Sequence, residues 1–554
     1  MIGHDQAVKK DLRWGKNRGD TRGPSIARET QLAEISPAPT VVADAPSTAV
    51  EPRREHSWLP HAEQRRSQIS QGHRLLRQVR EKRLQLYTES EFLERIAYSD
   101  ASYWMDSFLP ALRMKVSENI TLRVNATIGR ARKNAALYDV KKVGVAEHIA
   151  EAFYDNRWYK VREDNFPRKL LRDQIQQTLD RGEPIELIFP VFSRKPFSPL
   201  KNRGPLPDLG ELFSLARSTE ATQIVNALSP TGCRLTLLAD GLKYNRACLT
   251  PDRVVEAYQS SLGAWKRLLA DDGVVRIVNY EQWVADNLYP DLLTARMPRY
   301  THHIDQLTET FRRLFNPAAP DESLRAIAAT NDVGHQLAFT FWSIATSVNY
   351  QGLFSLRPSD ALVPNYYCDE IQRLYLYYIA SLHKPLRDLA LPTEFFPSIG
   401  RLGPSDFCEL FSTLRMEAFE AAIRYVAISL ADRDLNVLRE IQPNAIKLTI
   451  HGKPGELHFL SSSHRDINIT AQHSTGGITT GSDQLNFDLK YRIEREANNE
   501  VPVLVAALPA ALRDRPEYEP LRRLHEARQP IAYVDNHAMI TDHTLHLHLQ
   551  RRNS

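Results

Sequence analysis

The spacing of apolar residues changes along the chain and predicts helices first, then strands alternating with helices. Apolar residues recur at helical spacing in VGVAEHIAEAFY and in KLLRDQIQQTLDRG, and Gly182 after the second run is typical of a helix C-terminal cap. Three later runs, EPIELIFPVF, CRLTLLAD and VVRIVNYEQW, are short, apolar and rich in branched side chains. We therefore expect three buried strands in this part of the chain.

Helical patterns separate these three strands. LPDLGELFSLARSTEATQIVNAL is predicted to be a helix with Asp208 as its N-cap, and TPDRVVEAYQSSLGAWKRLLADDG a helix between Thr250 and Gly273. Strands joined by helix-length connections pair in parallel through right-handed crossovers. The order predicts an α/β fold, with a Rossmann-like parallel or mixed sheet flanked by helices.

The remaining patterns divide the chain into five predicted regions. The first has a Pro- and Ala-rich composition that is typical of disorder, and the fourth is mainly helical, which we interpret as an insertion. The last contains AIKLTIHG, GELHFLS and LNFDLKYRIE, which predict strands that complete the core. The regions are a disordered extension at 1–60, helices at 61–180, the first part of the α/β core at 181–290, the helical insertion at 291–440 and the strand-rich part at 441–554.

The amino-acid composition limits the classes of function that the chain could have. A hydrophobic content of 42%, a charged content of 25% and a net charge of +4 are typical of a globular protein and do not favour nucleic-acid binding. Four scattered cysteines and no apolar run of about 18 residues predict a cytoplasmic protein without a disulfide framework or membrane span. We expect neither a metal nor a cofactor.

A basic stretch at 64–87 predicts a helix with one face exposed to solvent. The alternative is a helix that contacts phosphate or RNA.

Charged residues follow two of the predicted strands. In parallel α/β sheets, ligands bind beyond the carboxyl ends of the strands, so these residues are candidates for a site. Cationic side chains at such a rim could bind phosphate or carboxylate, and Asp240 follows the second strand. The alternatives are an exposed loop for the cations, a helix cap for Asp208, a first-turn acidic residue for Glu211 and a plain turn for Asp240. The cations are Arg194, Lys195, Lys201 and Arg203.

These residues carry a resemblance to a known family. GEPIELIFPVFSRKPFSPLKNRGPLPDLGE resembles the opening signature of the isocyanide (isonitrile) synthases of the pyoverdine/dityrosine biosynthesis family, an apolar strand followed by FPxKSPNPxK and G-x-LPDLGE. RLTLLADGLKY is similar to that family's next strand, with Asp240 and Tyr244 on its pattern, and IKLTIHG and DINITAQHSTGG resemble later motifs with His451 and His473. Departures from the pattern, which leave the substrate open, are Pro196, Ser198, Leu242 and Gly452.

The resemblance implies an enzyme of secondary metabolism. Such an enzyme condenses the amine of an amino acid, here aromatic, with a ketose phosphate such as ribulose 5-phosphate. The product is an isocyanide or a formylated derivative, and a downstream oxygenase is an expected partner. The alternative is a family member without turnover that acts as a binding or scaffold protein. The resemblance implies anion binding for Lys195 and Lys201, with Arg203 as a helper that the family pattern does not require. Asp240 is then the candidate for acid–base catalysis, and His451 the candidate for phosphate binding or proton transfer, with a hydrogen-bonded strand histidine as its alternative. Asp208 or Glu211 would order the lysines or the substrate ammonium, and Tyr244 and His473 would contact the substrate.

Overall fold

The structure, a computed structural model, places the predicted strands and helices in an α/β architecture. The predicted extension at 1–60 and the basic stretch at 64–87 lie outside the residues that it describes. These residues are 109–135, 144–154, 166–195, 201–202, 204–239, 241–244, 247, 250, 252–269, 273–287, 290–345, 378, 381–382, 404–450, 457–459, 474–480, 485–498, 500–503, 515–527 and 529–534.

A five-stranded sheet lies at the centre of the fold. Its order is β3-β2-β1-β4-β5, and every neighbouring pair is parallel, which confirms the predicted parallel sheet. The three central strands are apolar and buried, as expected for strands covered on both faces. The strands are β1 (Ile185–Pro190), β2 (Cys233–Ala239), β3 (Val275–Asn279), β4 (Ile446–Thr449) and β5 (Leu457–His458).

Helices flank this sheet and precede it in the chain. The helix that follows β1 is buried along most of its length, and its contacts reach both the sheet and the first helix. Gly182 and Gly273 both have positive φ angles. Gly182 follows the helix that ends at Asp180, as predicted, whereas the helix predicted to close at Gly273 ends earlier, at Lys266. The helices are α1 (Leu109–Ala135), α2 (Val145–Phe153), α3 (Arg168–Asp180), α4 (Leu209–Leu228), α5 (Gly241–Tyr244), α6 (Asp252–Lys266) and α7 (Tyr280–Asp286).

The predicted helical region has a hydrophobic core of its own. Phe315 and Phe419 stack with ring centroids 4.0 Å apart, and the buried guanidinium of Arg415 donates to the carbonyl oxygens of Pro317 and Ser381. The carbonyl groups accept from both terminal nitrogens of the guanidinium, which offsets part of the cost of burying it. The helices are α8 (Pro290–Phe311), α9 (Pro320–Ala328), α10 (Asp332–Ser343), α11 (Pro404–Leu435) and α12 (Val437–Ile441).

A second, four-stranded sheet is formed by the C-terminal part of the chain. Its order is β7-β6-β9-β8, with antiparallel pairs at both edges and a parallel pair between β6 and β9. Within the described residues, no helix combines the length and the apolar character that a membrane crossing needs. The elements are β6 (Thr475–Thr480), β7 (Leu485–Lys490), α13 (Arg492–Ala497), β8 (Val501–Val503), a 3₁₀ turn (Pro516–Tyr518), α14 (Glu519–Glu526) and β9 (Ala532–Val534).

Two predicted strands end earlier than their apolar patterns indicate. VVRIVNYEQW is a strand only to Asn279, whose side chain accepts from the amides of Glu281 and Gln282 and thereby starts α7. LNFDLKYRIE becomes helical at Arg492, and within that helix Arg495 donates to the carbonyl oxygen of Thr475 and to Asp488. At Asn279 a polar side chain, rather than the apolar pattern, sets the boundary.

Candidate functional site

A single side-chain amide links the carboxyl ends of the first three strands. Gln259 of α6 places its Nε2 3.5 Å from the carbonyl oxygen of Ser193, after β1, and 3.4 Å from that of Ala239, at the end of β2. Its Oε1 accepts a 3.0 Å hydrogen bond from Nδ2 of Asn279, at the end of β3. The segments that follow these strands are therefore held close together, at the edge where a parallel α/β sheet binds ligands.

The first two cations that follow β1 are buried. The side chain of Lys195 is 0% exposed, and Arg194 is 7% exposed and donates to the hydroxyl of Thr250. The sequence placed both residues after β1, at the carboxyl ends of the strands, with an exposed loop as the alternative. For these two side chains the exposed loop is wrong. The chain turns inward after β1, and the buried cations are stabilised by protein partners instead of water.

The partners of Lys195 come from the first turn of α4. Its Nζ lies 2.7 Å from Oδ2 of Asp208 and 2.9 Å from Oε2 of Glu211. Asp208 is the N-cap, as predicted, because its Oδ1 accepts from the amide of Gly210 at 2.7 Å. Oε2 of Glu211 accepts in turn from the Asp208 amide at 2.9 Å, which completes a capping box. The structure thus brings together three residues that the sequence singled out, and we call them the Lys195 cluster.

Burial and net charge set the protonation of the Lys195 cluster. Three fully ionised groups would leave one net negative charge in a buried place, which is unfavourable. Burial, together with the charge of Asp208, raises the pKa of Glu211 to about 8, although Lys195 opposes the shift. Burial lowers the pKa of Lys195, but the charges and hydrogen bonds of Asp208 and Glu211 outweigh it, and the net shift is upward. At neutral pH the cluster therefore holds Lys195 as a cation and Glu211 as a neutral acid.

Two aromatic residues of α6 complete this environment and were not singled out from the sequence. The hydroxyl of Tyr258 lies 3.4 Å from Oε1 of Glu211, and Nε1 of Trp265 donates to the carbonyl oxygen of Pro207 at 3.0 Å. Both side chains are fully buried. Tyr258 and Trp265 are seven positions apart, so they share a helix face, and buried aromatics of this kind usually bond a polar partner. That spacing was the signal available in the sequence.

Tyr244, which the resemblance assigned to substrate contact, stacks on another tyrosine. Its ring lies 4.4 Å from that of Tyr425 of α11, centroid to centroid, with 20° between the planes. Both side chains are half-buried and pack against the helical core. The α5 segment that leaves β2 is thereby attached to the helical region.

The other predicted site residues are less closely defined. The backbone carbonyl of Lys201 accepts from the amide of Arg492 at 2.9 Å, and its side chain is half-buried. Asp240, His451, Arg203 and His473 lie outside the described residues. Across the described ranges, no group of three or more histidine, cysteine, aspartate or glutamate residues could hold a metal ion.

Part of the chain is similar to a known protein family. Residues 175–347 match the family model described as pyoverdine/dityrosine biosynthesis protein. The matched segment contains β1, β2, β3, α4 and the Lys195 cluster. The resemblance predicted from the sequence motifs is confirmed over these residues.

Similar curated proteins are isonitrile synthases. The chain is 26% identical over 207 residues to an L-tyrosine isonitrile synthase of Xenorhabdus nematophila, covering 37% of this chain and 52% of the relative. It is 28% identical over 89 residues to an L-tryptophan isonitrile synthase of Fischerella ambigua, covering 16% and 28%. The matches thus span about half of the first relative and less of the second. The crystal structure of the PvcA protein from Pseudomonas aeruginosa aligns with a TM-score of 0.38 and 18% identity, covering 66% of this chain and 88% of that one.

Proposed function

We propose that the protein is an isocyanide synthase that uses the amine of an aromatic amino acid and a ketose phosphate such as ribulose 5-phosphate. The amine condenses with the keto carbon to an imine with loss of water, and both carbon–carbon bonds of the keto carbon then break, which leaves that carbon on nitrogen as the isocyanide. The terminal hydroxymethyl carbon leaves as formaldehyde, and the other three carbons leave as hydroxyacetone with expulsion of phosphate, whose departure takes up the two electrons that the isocyanide carbon loses. The proposal is supported by the family match over residues 175–347 and by similarity to synthases named for L-tyrosine and L-tryptophan.

The observation that carries the proposal is the Lys195 cluster at the carboxyl edge of the parallel sheet. Its charges are fixed in place before any substrate binds, because two hydrogen bonds within the α4 capping box and two contacts to Lys195 define the carboxyl positions. Fixed charges in a water-poor site are a main source of catalytic stabilisation. A neutral Glu211 with a pKa of about 8 also suits proton exchange near neutral pH.

The geometry favours a division of roles among the candidates. Lys195 already contacts two carboxyl groups, so it could reach a substrate anion only by exchanging one of them. We therefore assign the phosphate contact to Lys201 and Arg203 and proton transfer during imine formation to Asp240 and His451. Lys195 then orders the carboxyl groups of Asp208 and Glu211, and Tyr244 and His473 contact the amino-acid substrate.

The proposal is tested by turnover with a labelled sugar phosphate. Purified protein is incubated with tyrosine or tryptophan and ribulose 5-phosphate carrying ¹³C at the keto carbon, and the products are analysed by mass spectrometry. We expect a product that retains the amino-acid skeleton and contains the labelled carbon on nitrogen. A product without the label would exclude this carbon source.

A binding or scaffold role gives a different result. A family member without turnover would bind an amine or sugar phosphate in titration calorimetry, yet form no product with any amine tested. That combination would overturn the proposed activity. A matched comparison uses Asp240→Asn, which we expect to bind the sugar phosphate with unchanged affinity while losing product formation.

A further inference from the structure

The segment that carries Asp208 is bonded to a glutamine far away in the sequence. The Leu206 amide donates to Oε1 of Gln529 at 2.9 Å, and Nε2 of Gln529 donates back to the Leu206 carbonyl oxygen at 2.7 Å. The two residues are 323 positions apart, and the Gln529 side chain is 0% exposed. The oxygen and the nitrogen of the Gln529 amide thus pair with the N–H and the C=O of one backbone residue, as the backbone of a neighbouring β-strand would.

The surrounding contacts leave little freedom to this pairing. A β-carbon on Gly204 would lie 2.2 Å from Oε1 of Gln529, so the backbone approaches the amide closely and only glycine fits. Three residues further, the Leu209 amide donates to the carbonyl oxygen of Ile531 at 3.2 Å. Residues 529–531 therefore follow the backbone of the loop from 204 to the first residue of α4.

Residues 529–531 lead directly into β9, which pairs with β6 and β8 of the second sheet. The second sheet is thus connected to the loop whose next residues, Asp208 and Glu211, contact Lys195. The family match ends at residue 347, so the loop lies within the matched segment and its bonding partner lies outside it.

We propose that Gln529 is a positioning residue of the candidate site, which acts by fixing residues 204–208 so that Asp208 and Glu211 meet Lys195. The inference rests on the proposed function for its catalytic consequence. Its structural consequence, order in the loop, is independent of that function. Catalytic groups misplaced by about 1 Å lose about a hundredfold in rate, so loosening this loop is expected to lower turnover.

The test compares Gln529→Met, which keeps the length of the side chain and removes both hydrogen bonds, with Gln176→Met. Gln176 is an exposed glutamine whose Nε2 donates to Asp180 on the surface of α3. Hydrogen–deuterium exchange is followed at residues 204–211, and isonitrile formation is measured as separate kcat and KM values over a range of pH. We expect Gln529→Met to speed exchange selectively at 204–211, to lower kcat about ten- to a hundredfold with a smaller change in KM, and to shift the pH dependence of kcat. Gln176→Met should match the wild type.

A role in packing alone gives a different pattern. Faster exchange across the whole α/β core, with kcat and its pH dependence unchanged, would overturn the proposal. If Gln529→Met does not fold, Gln529→Asn serves instead, because it keeps the amide but is one methylene too short to pair with both Leu206 groups. If the wild-type protein forms no isonitrile, the proposed function fails, and exchange at 204–211 still decides on the positioning role.

Discussion

The carbonyl oxygen of Ser193 lies against the α-carbon of Gly241, so closely that a β-carbon on Gly241 would be 1.8 Å from that oxygen. The segment leaving β1 and the segment leaving β2 thus touch through their main chains. The same Ser193 oxygen lies 3.5 Å from Nε2 of Gln259. Separation of these two segments would disturb every residue placed on them.

Gly241→Ala tests this contact. The new methyl group meets backbone rather than a flexible side chain, so the two segments must move apart, at a cost of about 1–3 kcal/mol in the free energy of unfolding. We expect a matching loss of isonitrile formation. Gly263→Ala is the control, because no heavy atom lies within 4 Å of its β-carbon and it occupies a helix interior, where alanine stabilises by about 0.5–1 kcal/mol. Equal stabilities of the two variants in urea denaturation would contradict the close contact.

Lys195→Met tests the importance of charge pairing in the Lys195 cluster. The substitution leaves Asp208 and Glu211 buried without a cation, which costs about 3–5 kcal/mol in the free energy of unfolding. Lys169→Met removes the exposed pair with Asp173, at 79% side-chain exposure, and should cost only about 0.3–0.5 kcal/mol. Chemical denaturation of both variants gives the comparison. Similar losses would mean that Lys195 is not the counter-charge of a buried cluster.

Glu211→Gln tests the pKa of Glu211 through the dependence of stability on pH. The unfolded carboxyl ionises near its ordinary pKa of 4.5, whereas the folded one ionises near 8, so the unfolded state binds fewer protons between these values. Stability contributed by the neutral acid is therefore present in full below 4.5 and is lost as the pH rises to about 8. We expect the wild type to lose stability relative to Glu211→Gln across this interval. A constant difference between the two proteins would show that the pKa of Glu211 is not raised.

A comparison of Asn279→Ala with Asn331→Ala separates the effect of helix capping from the effect of the hydrogen bond that links the strand ends. Oδ1 of Asn279 accepts from the Glu281 amide at 2.9 Å, while its Nδ2 donates to Gln259 at 3.0 Å. Asn331 caps α10 through the Gly334 amide at 2.8 Å, within the helical region. Each alanine variant should lose about 0.5–2 kcal/mol in the free energy of unfolding. Only Asn279→Ala should also lower the rate of isonitrile formation. Equal rates in the two variants would argue against a role for the strand-end linkage in catalysis.

Local patterns predicted the central fold, and one part of the site followed from them as well. The α4 capping box is visible as an aspartate three positions before a glutamate, because the interaction spans less than one helical turn. The predicted boundary of β3 was wrong because Asn279 starts a helix through side-chain bonds that apolar periodicity does not register. The predicted end of β7 was also wrong, because a helix begins at Arg492.

The contacts between distant segments could not be predicted in this way. Lys195 was selected for its position after β1, but its burial depends on how α4 returns across the sheet edge. Gln529 lies in the stretch ARQPIAYV, which contains nothing that distinguishes it from a surface glutamine. Its partner is a backbone group 323 residues away, and a pairing of that kind depends only on the folded geometry.

The helix α4 has consequences for how the protein tolerates change. From Leu209 to Thr222 every residue is buried, and polar members such as Arg217 and Glu220 pair with each other inside the protein. An ordinary amphipathic helix accepts substitutions on its outer stripe, so tolerated positions recur with the helical repeat. This helix has no outer stripe over those fourteen positions. When every position of the gene is mutated in a saturation library, we therefore expect low tolerance of substitution at all fourteen of these positions. Natural variants of the chain should lie mainly at other positions.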